Sequence, residues 1–218
     1  MTDRFFDLDV RGTTIRFIDR GEHVAWWVDQ MRRGIWEEDT LDAFDKYATG
    51  GTILDIGAWC GLFSIYAAKK YDCQVVAFEP DPIARWMLAK NIAANDIGKR
   101  VEVVPAAVWT HDGYLTLRVE SELGDSMTGI SREGRPYRAK AISVARIAAT
   151  WPDTMFAKID IEGAEAVVWP EFHSYFPNVP VHLSWHLFES GLGDHPELLP
   201  DYPQVGGLWC YPTYMVVP

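Results

Sequence analysis

Thr52-Ile-Leu-Asp-Ile-Gly-Ala-Trp-Cys-Gly61 is the stretch of this sequence that decides the fold. Its first half, Thr52 to Ile56, is a short β-type run, and the apolar helical pattern of residues 62–68 follows the second glycine directly. Gly57 permits a sharp turn, and Gly61 permits the helix to begin close to the strand. This pattern predicts a strand-loop-helix unit that brings backbone N–H groups against a ligand.

Two carboxylates flank this unit as nucleoside recognition requires. Asp55 lies near the carboxyl end of the first strand, and a second strand-like run ends in Glu79, where an acid can accept hydrogen bonds from ribose hydroxyls. The dinucleotide fingerprint G-x-G-x-x-G is broken, because Trp59 replaces its middle glycine, and the phosphate loop G-x-x-x-x-G-K-[ST] is absent. The pattern therefore favours S-adenosyl-L-methionine, which carries a ribose and an amino-acid tail but no phosphate.

The repeated strand-then-helix rhythm predicts the fold class. It indicates an α/β, doubly wound, Rossmann-like domain whose mainly parallel sheet carries helices on both faces. Further strands are expected at residues 74–79, 101–104, 156–161 and 179–185, and a short final hairpin within residues 206–217. Asp39 is expected to cap the helix before the first strand, and Asp81-Pro82 to start the helix after the second.

The chain divides into two predicted parts. Residues 1–35 are expected to form a small extension of one strand pair and a helix, and residues 36–218 the main domain. Residues 105–155 interrupt the rhythm as a hairpin and loop insert, with a hairpin expected between residues 107–110 and 114–119. Within the insert, the basic residues of the stretch 131–140 form either a solvated loop or hairpin or a rim for a polar substrate: Arg132, Arg135, Arg138 and Lys140.

Three motifs together resemble one protein family. They are the stretch Asp55 to Gly61, Ala77-Phe-Glu-Pro-Asp81, and Lys158-Ile-Asp-Ile-Glu-Gly-Ala-Glu165. In combination they resemble the FkbM family of S-adenosylmethionine-dependent methyltransferases, over residues of about 36 to 185. The resemblance implies the class I methyltransferase fold and methylation of a hydroxyl on a small molecule, such as a sugar or a polyketide-type metabolite. Trp59 departs from the small or polar residue that is usual in the family.

The residues expected to bind the cofactor lie at the carboxyl ends of predicted strands or just before the first strand: Glu37, Asp55, Gly57, Ala58, Gly61, Glu79, Pro80, Asp81, Ala107 and Val108. Of these, Glu79 is expected to bind the ribose, and Ala107 and Val108 to pack on adenine. Glu37 stands where the family often has an acid that reaches the cofactor's amino group, and Glu38 is the alternative for this role.

Three residues are candidates for the base that takes the acceptor's proton. Asp160 is the first, because in this architecture it ends the strand that faces the methyl group; Glu162 is the second and His186 the third. A Mg²⁺ site needs several converging oxygens. Asp160 and Glu162 supply two, but the fifth strand ends in Ser184-Trp185-His186 rather than in an acid, so no metal is expected.

The composition of the chain limits which binding partners are expected. A net charge of −11 opposes binding to nucleic acid, and residues 159–163 lack the Asn/Asp-Pro-Pro-aromatic motif of exocyclic-amine methyltransferases. The three cysteines have no disulfide or metal spacing, no apolar run has the length of a membrane helix, and the charged N-terminus lacks the apolar core of a signal peptide. A cytoplasmic enzyme without membrane partners is therefore expected, of undetermined oligomeric state.

Two other functions stay open. A non-catalytic cofactor-binding or interaction protein with the same fold would explain Trp59 and the short C-terminus. An open pocket beside Asp160 would separate it from an enzyme. A nicotinamide-dependent oxidoreductase is the other alternative, and the missing middle glycine counts against it.

Overall fold

The computed structural model describes residues 3–20, 22–119, 122–124, 126, 128–130, 134–186, 204–208 and 211–217. In chain order the elements are β1 (Phe5–Val10), β2 (Thr13–Ile18), α1 (Glu22–Arg32), α2 (Glu38–Tyr47), β3 (Thr52–Ile56), α3 (Leu62–Lys70), β4 (Gln74–Phe78), α4 (Pro82–Ala94), β5 (Val101–Val104), β6 (Ala107–Trp109), β7 (Gly113–Val119), β8 (Thr128–Gly129), β9 (Arg135–Ser143), α5 (Val144–Thr150), β10 (Thr154–Ile159), α6 (Glu165–Tyr175), β11 (Val181–Ser184), β12 (Gln204–Leu208) and β13 (Tyr211–Val216).

The central sheet has seven strands in the order β12-β13-β11-β10-β3-β4-β5. Strands β11, β10, β3, β4 and β5 pair in parallel, and β13 runs antiparallel to both β11 and β12. The strand order reverses beside β3, so a ligand crevice is expected at the carboxyl end of that strand. The doubly wound, mainly parallel sheet is therefore confirmed, as is the C-terminal hairpin.

Helices cover both faces of this sheet. On one face, Phe44 of α2, Ile65 of α3 and Leu88 of α4 belong to one buried core. On the other face, Ile147 of α5 and Phe172 of α6 belong to a second core. The inner strands are buried on both sides, and each fully buried apolar side chain contributes about 1.5–3 kcal/mol. The two cores hold the strand ends in place.

The bounds of three predicted strands and the position of one helix cap differ from the prediction. Strand β4 ends one residue before the predicted end, and β10 and β11 span Thr154–Ile159 and Val181–Ser184 rather than residues 156–161 and 179–185. Strand β10 ends early because its pairing with β3 stops at Ile159 and the chain then turns through Glu162, which has a φ of 52°. The capping position of α2 is Glu37 rather than Asp39. Asp39 lies within the first turn of α2, and its carboxylate accepts a hydrogen bond from Thr213 of β13.

The insert forms a second, four-stranded sheet in the order β6-β9-β7-β8. The predicted hairpin between residues 107–110 and 114–119 is wrong: β6 pairs in parallel with β9, and β7 pairs antiparallel with β9. The intervening turn is held instead by Asp112, which accepts from the Ser143 N–H at 3.0 Å and pairs with Arg146 at 2.7 Å. These contacts direct the turn toward the end of β9.

The described part of the basic stretch lies on β9, which pairs with β7, as the hairpin interpretation predicts. Arg135, Arg138 and Lys140 lie on β9 with exposed side chains, and the Arg138 guanidinium stacks 3.8 Å from the ring centroid of Tyr114. Arg132 lies outside the described residues, as do residues 125 and 127 of the preceding turn.

The N-terminal strand pair and helix α1 pack directly on the main domain. The Ile18 N–H donates to Asn91 of α4 at 2.7 Å, and the Trp27 ring lies 5.8 Å from that of Trp59. The division of the chain at residues 35 and 36 stays a prediction. Among the described helices, none combines the length and apolar character needed to cross a membrane.

Gly57→Ala is expected to destabilise the fold. Gly57 has a φ of 85°, and an added Cβ would lie 1.8 Å from the backbone oxygen of Asp160. Because that oxygen belongs to backbone anchored by the bond from the Asp160 N–H to Ile56, it cannot easily move. The free energy of unfolding, measured in urea, should fall by about 3 kcal/mol.

Gly98→Ala is the matched control for this substitution. Its added Cβ would meet nothing within 4 Å, so its unfolding free energy should change by less than about 0.5 kcal/mol. Equal unfolding midpoints for the two variants would contradict the close approach at Gly57.

Candidate active site

A cavity of about 460 Å³ opens at the carboxyl ends of β3, β4 and β10. Residues from the N-terminal extension, the insert and β11 complete its wall. The sequence-predicted site residues that line it are Glu37, Gly57, Ala58, Glu79, Pro80, Ala107, Val108, Asp160, Glu162 and His186. Asp55, Gly61 and Asp81 are not among the lining residues.

The glycine loop uses its N–H groups within the protein. The N–H groups of Gly57 and Ala58 both donate to the Phe78 carbonyl at 3.1 Å, and that of Gly61 donates to Ala58 at 2.8 Å. The Trp59 N–H donates to Glu79 Oε2 at 2.7 Å. The prediction that the loop N–H groups contact a ligand is therefore wrong for all four of these N–H groups, which donate to other groups of the protein. The loop closes on β4 instead, and this leaves a poor cradle for a phosphate.

Glu79 directly follows β4, and its carboxylate lies at the cavity wall. Its Oε1 accepts from the Asp81 N–H at 2.8 Å, while Oε2 receives the Trp59 bond. Burial outweighs these hydrogen bonds and raises the pKa of Glu79 to about 7. Each carboxylate oxygen can accept more than one hydrogen bond, so Glu79 keeps capacity for a hydroxyl donor.

Asp81 has a structural role, unlike the direct contact that was expected. Its Oδ1 caps α4 by accepting from the Ile83 and Ala84 N–H groups, and its Oδ2 accepts from the Gly124 N–H at 2.9 Å and from Thr128. Asp81 therefore ties the insert to α4. Gly61 likewise provides space, because an added Cβ would lie 2.3 Å from a methyl carbon of Leu88.

Lys158 is a buried cation at the floor of the site. Its Nζ lies 3.2 Å from Asp160 Oδ2 and 3.7 Å from Asp55 Oδ1, and it donates to the Gly57 carbonyl at 3.0 Å. Burial opposes its charge, but attraction to Asp160, Asp55 and Glu37 outweighs burial and raises the pKa of Lys158. A buried charge requires such partners.

Asp55 and Asp160 share this lysine but differ in position. Asp55 is fully buried, it accepts from Ser64 at 2.6 Å, and burial raises its pKa. Asp55 therefore contacts the site through Lys158 rather than through the cavity. Asp160 lines the cavity, and although burial opposes ionisation, Lys158 and His186 lower its pKa, so it is ionised at neutral pH.

Glu37 faces Asp160 from the start of α2. It lines the cavity, and its Oε2 accepts from Thr40 at 2.5 Å. Burial and the nearby charge of Asp160 raise its pKa. Glu37, Trp59 and Glu162 all line the cavity with positive φ values of 59°, 46° and 52°. Strained backbone of this kind clusters at functional sites.

His186 follows β11 and is held by the carboxylate of Glu165, a residue for which the sequence predicted no role. Its Nδ1 lies 2.9 Å from Glu165 Oε1, and its Nε2 lies 3.7 Å from Asp160 and 3.5 Å from Glu162. Burial opposes protonation, but the three carboxylates outweigh it and raise the pKa of His186 to about 10. An imidazole that already carries its proton is a poor base, so His186 is the weakest of the three candidates.

Glu165 also organises the loop before α6. Its carboxylate accepts from the Ile161 N–H at 2.9 Å and from the Gly163 N–H at 3.0 Å. The signal for this role was present in the sequence, since an acid in the first turn of a helix commonly binds preceding N–H groups. The signal for Lys158 was its strand alternation with Asp160 and Glu162, which put all three on one side.

Trp59 forms part of the cavity wall without closing it. Its Nε1 donates to the Gly124 carbonyl at 2.9 Å, and its ring packs against Trp27. The side chain thus joins the insert to the N-terminal extension. The cavity still extends to Asp160, Glu162 and His186 beyond it.

No protein-family model matches the chain. Membership of the FkbM family therefore stays a prediction. The chain is 32% identical over 91 residues to methyltransferase sdnD of Sordaria araneosa, covering 41% of this chain and 35% of that protein. It is also 32% identical over 79 residues to a tRNA1(Val) (adenine(37)-N6)-methyltransferase of Bacteroides fragilis, covering 36% of this chain and 33% of that protein. The chain thus spans about a third of the length of these curated relatives.

The solved structures support the fold class. The T. thermophilus 16S rRNA N2 G1207 methyltransferase, in complex with AdoMet and guanosine, superposes with a TM-score of 0.51 at 13% sequence identity. The match covers 99% of this chain and 50% of that chain. Together with the strand order, this likeness defines the architecture as the Rossmann-like fold of class I methyltransferases.

Glu165→Gln is expected to destabilise the loop before α6. The amide would set an N–H donor against a group that now donates to the carboxylate, and it would remove a negative charge beside His186. The free energy of unfolding in urea should fall by about 2–4 kcal/mol. Glu171→Gln, a change in the same helix at a partly buried residue, is the control and should remain within about 0.5 kcal/mol of the parent protein.

Proposed function

We propose that the protein is an S-adenosyl-L-methionine-dependent methyltransferase that methylates a hydroxyl group of a small molecule. The observation that carries this proposal is the cavity at the reversal of strand order, where Glu79 and Asp160 line the same space. Ligands of doubly wound sheets bind at this place. The names of the two curated relatives support methyl transfer as the activity.

The cavity has suitable partners for each part of the proposed cofactor. Glu79 would accept hydrogen bonds from the ribose hydroxyls, and Ala107 and Val108 would pack on the adenine. The carboxylates of Glu37 and Asp160 would attract the cationic ammonium and sulfonium groups. The loop N–H groups that already bind Phe78 and Glu79 argue against a pyrophosphate, and therefore against a nicotinamide cofactor.

In the proposed reaction Asp160 receives the hydroxyl proton as the acceptor oxygen attacks the methyl carbon. The carbon–sulfur bond breaks, its electron pair stays on sulfur, and S-adenosylhomocysteine leaves. Alignment of oxygen, carbon and sulfur can contribute about 7–11 kcal/mol to catalysis. Asp160 is ionised, and its lowered pKa suits it to orient the hydroxyl and to take the proton late. Glu162 is the second candidate for this role.

The acceptor is proposed to be a small molecule with a flat apolar face, such as a sugar or a polyketide-type compound. Indole rings of Trp26, Trp36, Trp59 and Trp109 contribute to the cavity wall, and such rings stack on sugar and planar carbon faces. The net charge of −11 disfavours a polyanionic RNA or DNA substrate. Membership of the FkbM family is part of the same proposal.

A non-catalytic binding protein with this fold is the alternative. The open space beside Asp160 counts against it, because a protein that only binds the cofactor has no need of an acceptor space. Calorimetric titration with S-adenosylmethionine, S-adenosylhomocysteine and NAD⁺ tests the cofactor. Binding of the first two alone is expected, and binding of NAD⁺ alone would overturn the proposal.

Cofactor affinity is expected to depend on the ionisation of Glu79. Its pKa of about 7 means that lowering the pH from about 8 to about 6 protonates most of the carboxylate. Because ribose hydroxyls bind the ionised form better, the dissociation constant for S-adenosylhomocysteine should rise about tenfold over this range. Glu79→Gln should bind weakly at both pH values, whereas Glu102→Gln, at an exposed acid on β5, should behave as the parent protein.

Asp160→Asn separates binding from turnover. The asparagine keeps the shape but cannot take a proton, so formation of S-adenosylhomocysteine with a panel of hydroxylated small molecules should fall by about 10²–10⁴-fold. Cofactor affinity should change much less than turnover. A variant that turns over at the parental rate would remove Asp160 from the proposed mechanism.

A further inference from the structure

We propose that Asp160, Glu162 and His186 form a binding site for a divalent transition-metal ion of the Mn²⁺ type at the acceptor side of the cavity. All three residues line the cavity, from the end of β10 and the residues after β11. The sequence predicted no metal, because only two of the necessary ligands could be recognised. The structure brings His186 to these two as the third.

The distances among the three side chains suit one ion. His186 Nε2 lies 3.7 Å from Asp160 Oδ1 and 3.5 Å from Glu162 Oε2. One ligand atom of each residue lies within 4.8 Å of the other two. Bonds of about 2.1 Å to a common ion place neighbouring ligand atoms about 3.0–3.6 Å apart, so small side-chain rotations complete the site.

The orientation of the His186 ring also suits a cation. The Glu165 carboxylate accepts from Nδ1 at 2.9 Å, which turns Nε2 toward two further acceptors. An ion bound at Nε2 would replace the proton on that nitrogen, because a histidine binds a metal only through a deprotonated nitrogen. A carboxylate behind a histidine is the common support for a metal ligand.

The ligand types indicate the class of ion. Two carboxylates and one imidazole, with no sulfur among the three, suit Mn²⁺ or a similar ion better than a thiolate-preferring one. Lys158 binds the other carboxylate oxygen of Asp160, Oδ2, and so directs Oδ1 toward the site. Three protein ligands leave coordination positions open to the cavity.

The use of the ion in the reaction rests on the proposed function, but ion binding itself does not. An acceptor oxygen in an open position would be oriented toward the methyl donor. The positive charge would also favour its ionised form.

Mn²⁺ binding by the full chain, measured by electron paramagnetic resonance without any cofactor, tests the inference. The parent protein should bind one ion per chain with a micromolar dissociation constant, and His186→Gln and Glu162→Gln should each bind at least tenfold more weakly. His111→Gln and Glu102→Gln change exposed residues of the same types and should bind as the parent protein does. Equal binding by all four variants, or none by the parent protein, would overturn the site.

A spectroscopic measurement on the parent protein avoids dependence on variants that fold poorly. Protein with ¹⁵N-labelled histidine should show a magnetic coupling between bound Mn²⁺ and one imidazole nitrogen. Bound Mn²⁺ without such coupling would show surface binding only and would overturn the site. Because no cofactor is present in either experiment, a failure of the proposed methyl transfer would leave these results unchanged.

Discussion

The buried charge of Lys158 is the constraint on which the site depends. In the sheet register Lys158 stands beside Asp55, so pairing of β10 with β3 brings an ammonium and a carboxylate together inside the protein. Removing one partner of a buried pair commonly costs about 3–5 kcal/mol, since the other charge remains uncompensated. The same ammonium holds Asp160 and the Gly57 carbonyl. One cation thus unites the two strand ends between which the strand order reverses.

Much of the fold could be predicted because its signals are local. Apolar runs marked β3, β4 and β5, and proline after Asp81 marked the start of α4. The sheet of the insert could not be predicted in the same way. Strand β6 pairs with β9, more than thirty residues further on, and no local pattern encodes which strand will be the partner. Strand ends were also displaced, because they depend on where pairing with the neighbour stops.

Prediction of the site from the sequence has a similar limit. In the sequence Asp55, Glu79 and Asp81 are all acids at or near predicted strand ends. Of these three, only Glu79 lines the cavity. The Asp55 carboxylate binds Ser64 and pairs with Lys158. The Asp81 carboxylate instead accepts hydrogen bonds from the first N–H groups of α4. Sequence motifs therefore found the correct region but could not distinguish carboxylates that support the site from those that face it. The distinction depends on neighbours contributed by other elements.

The contacts of Trp59 also bear on the order in which the protein folds. Its indole bonds to Gly124, 65 residues away in sequence, and Lys158 bonds to Gly57 across 101 residues. Closing such long loops is slow, because chain entropy is lost before the contacts form. The β1–β2 hairpin, by contrast, needs only a tight turn. We therefore expect the cavity walls to be completed late in folding, after much of the local structure on which they rest.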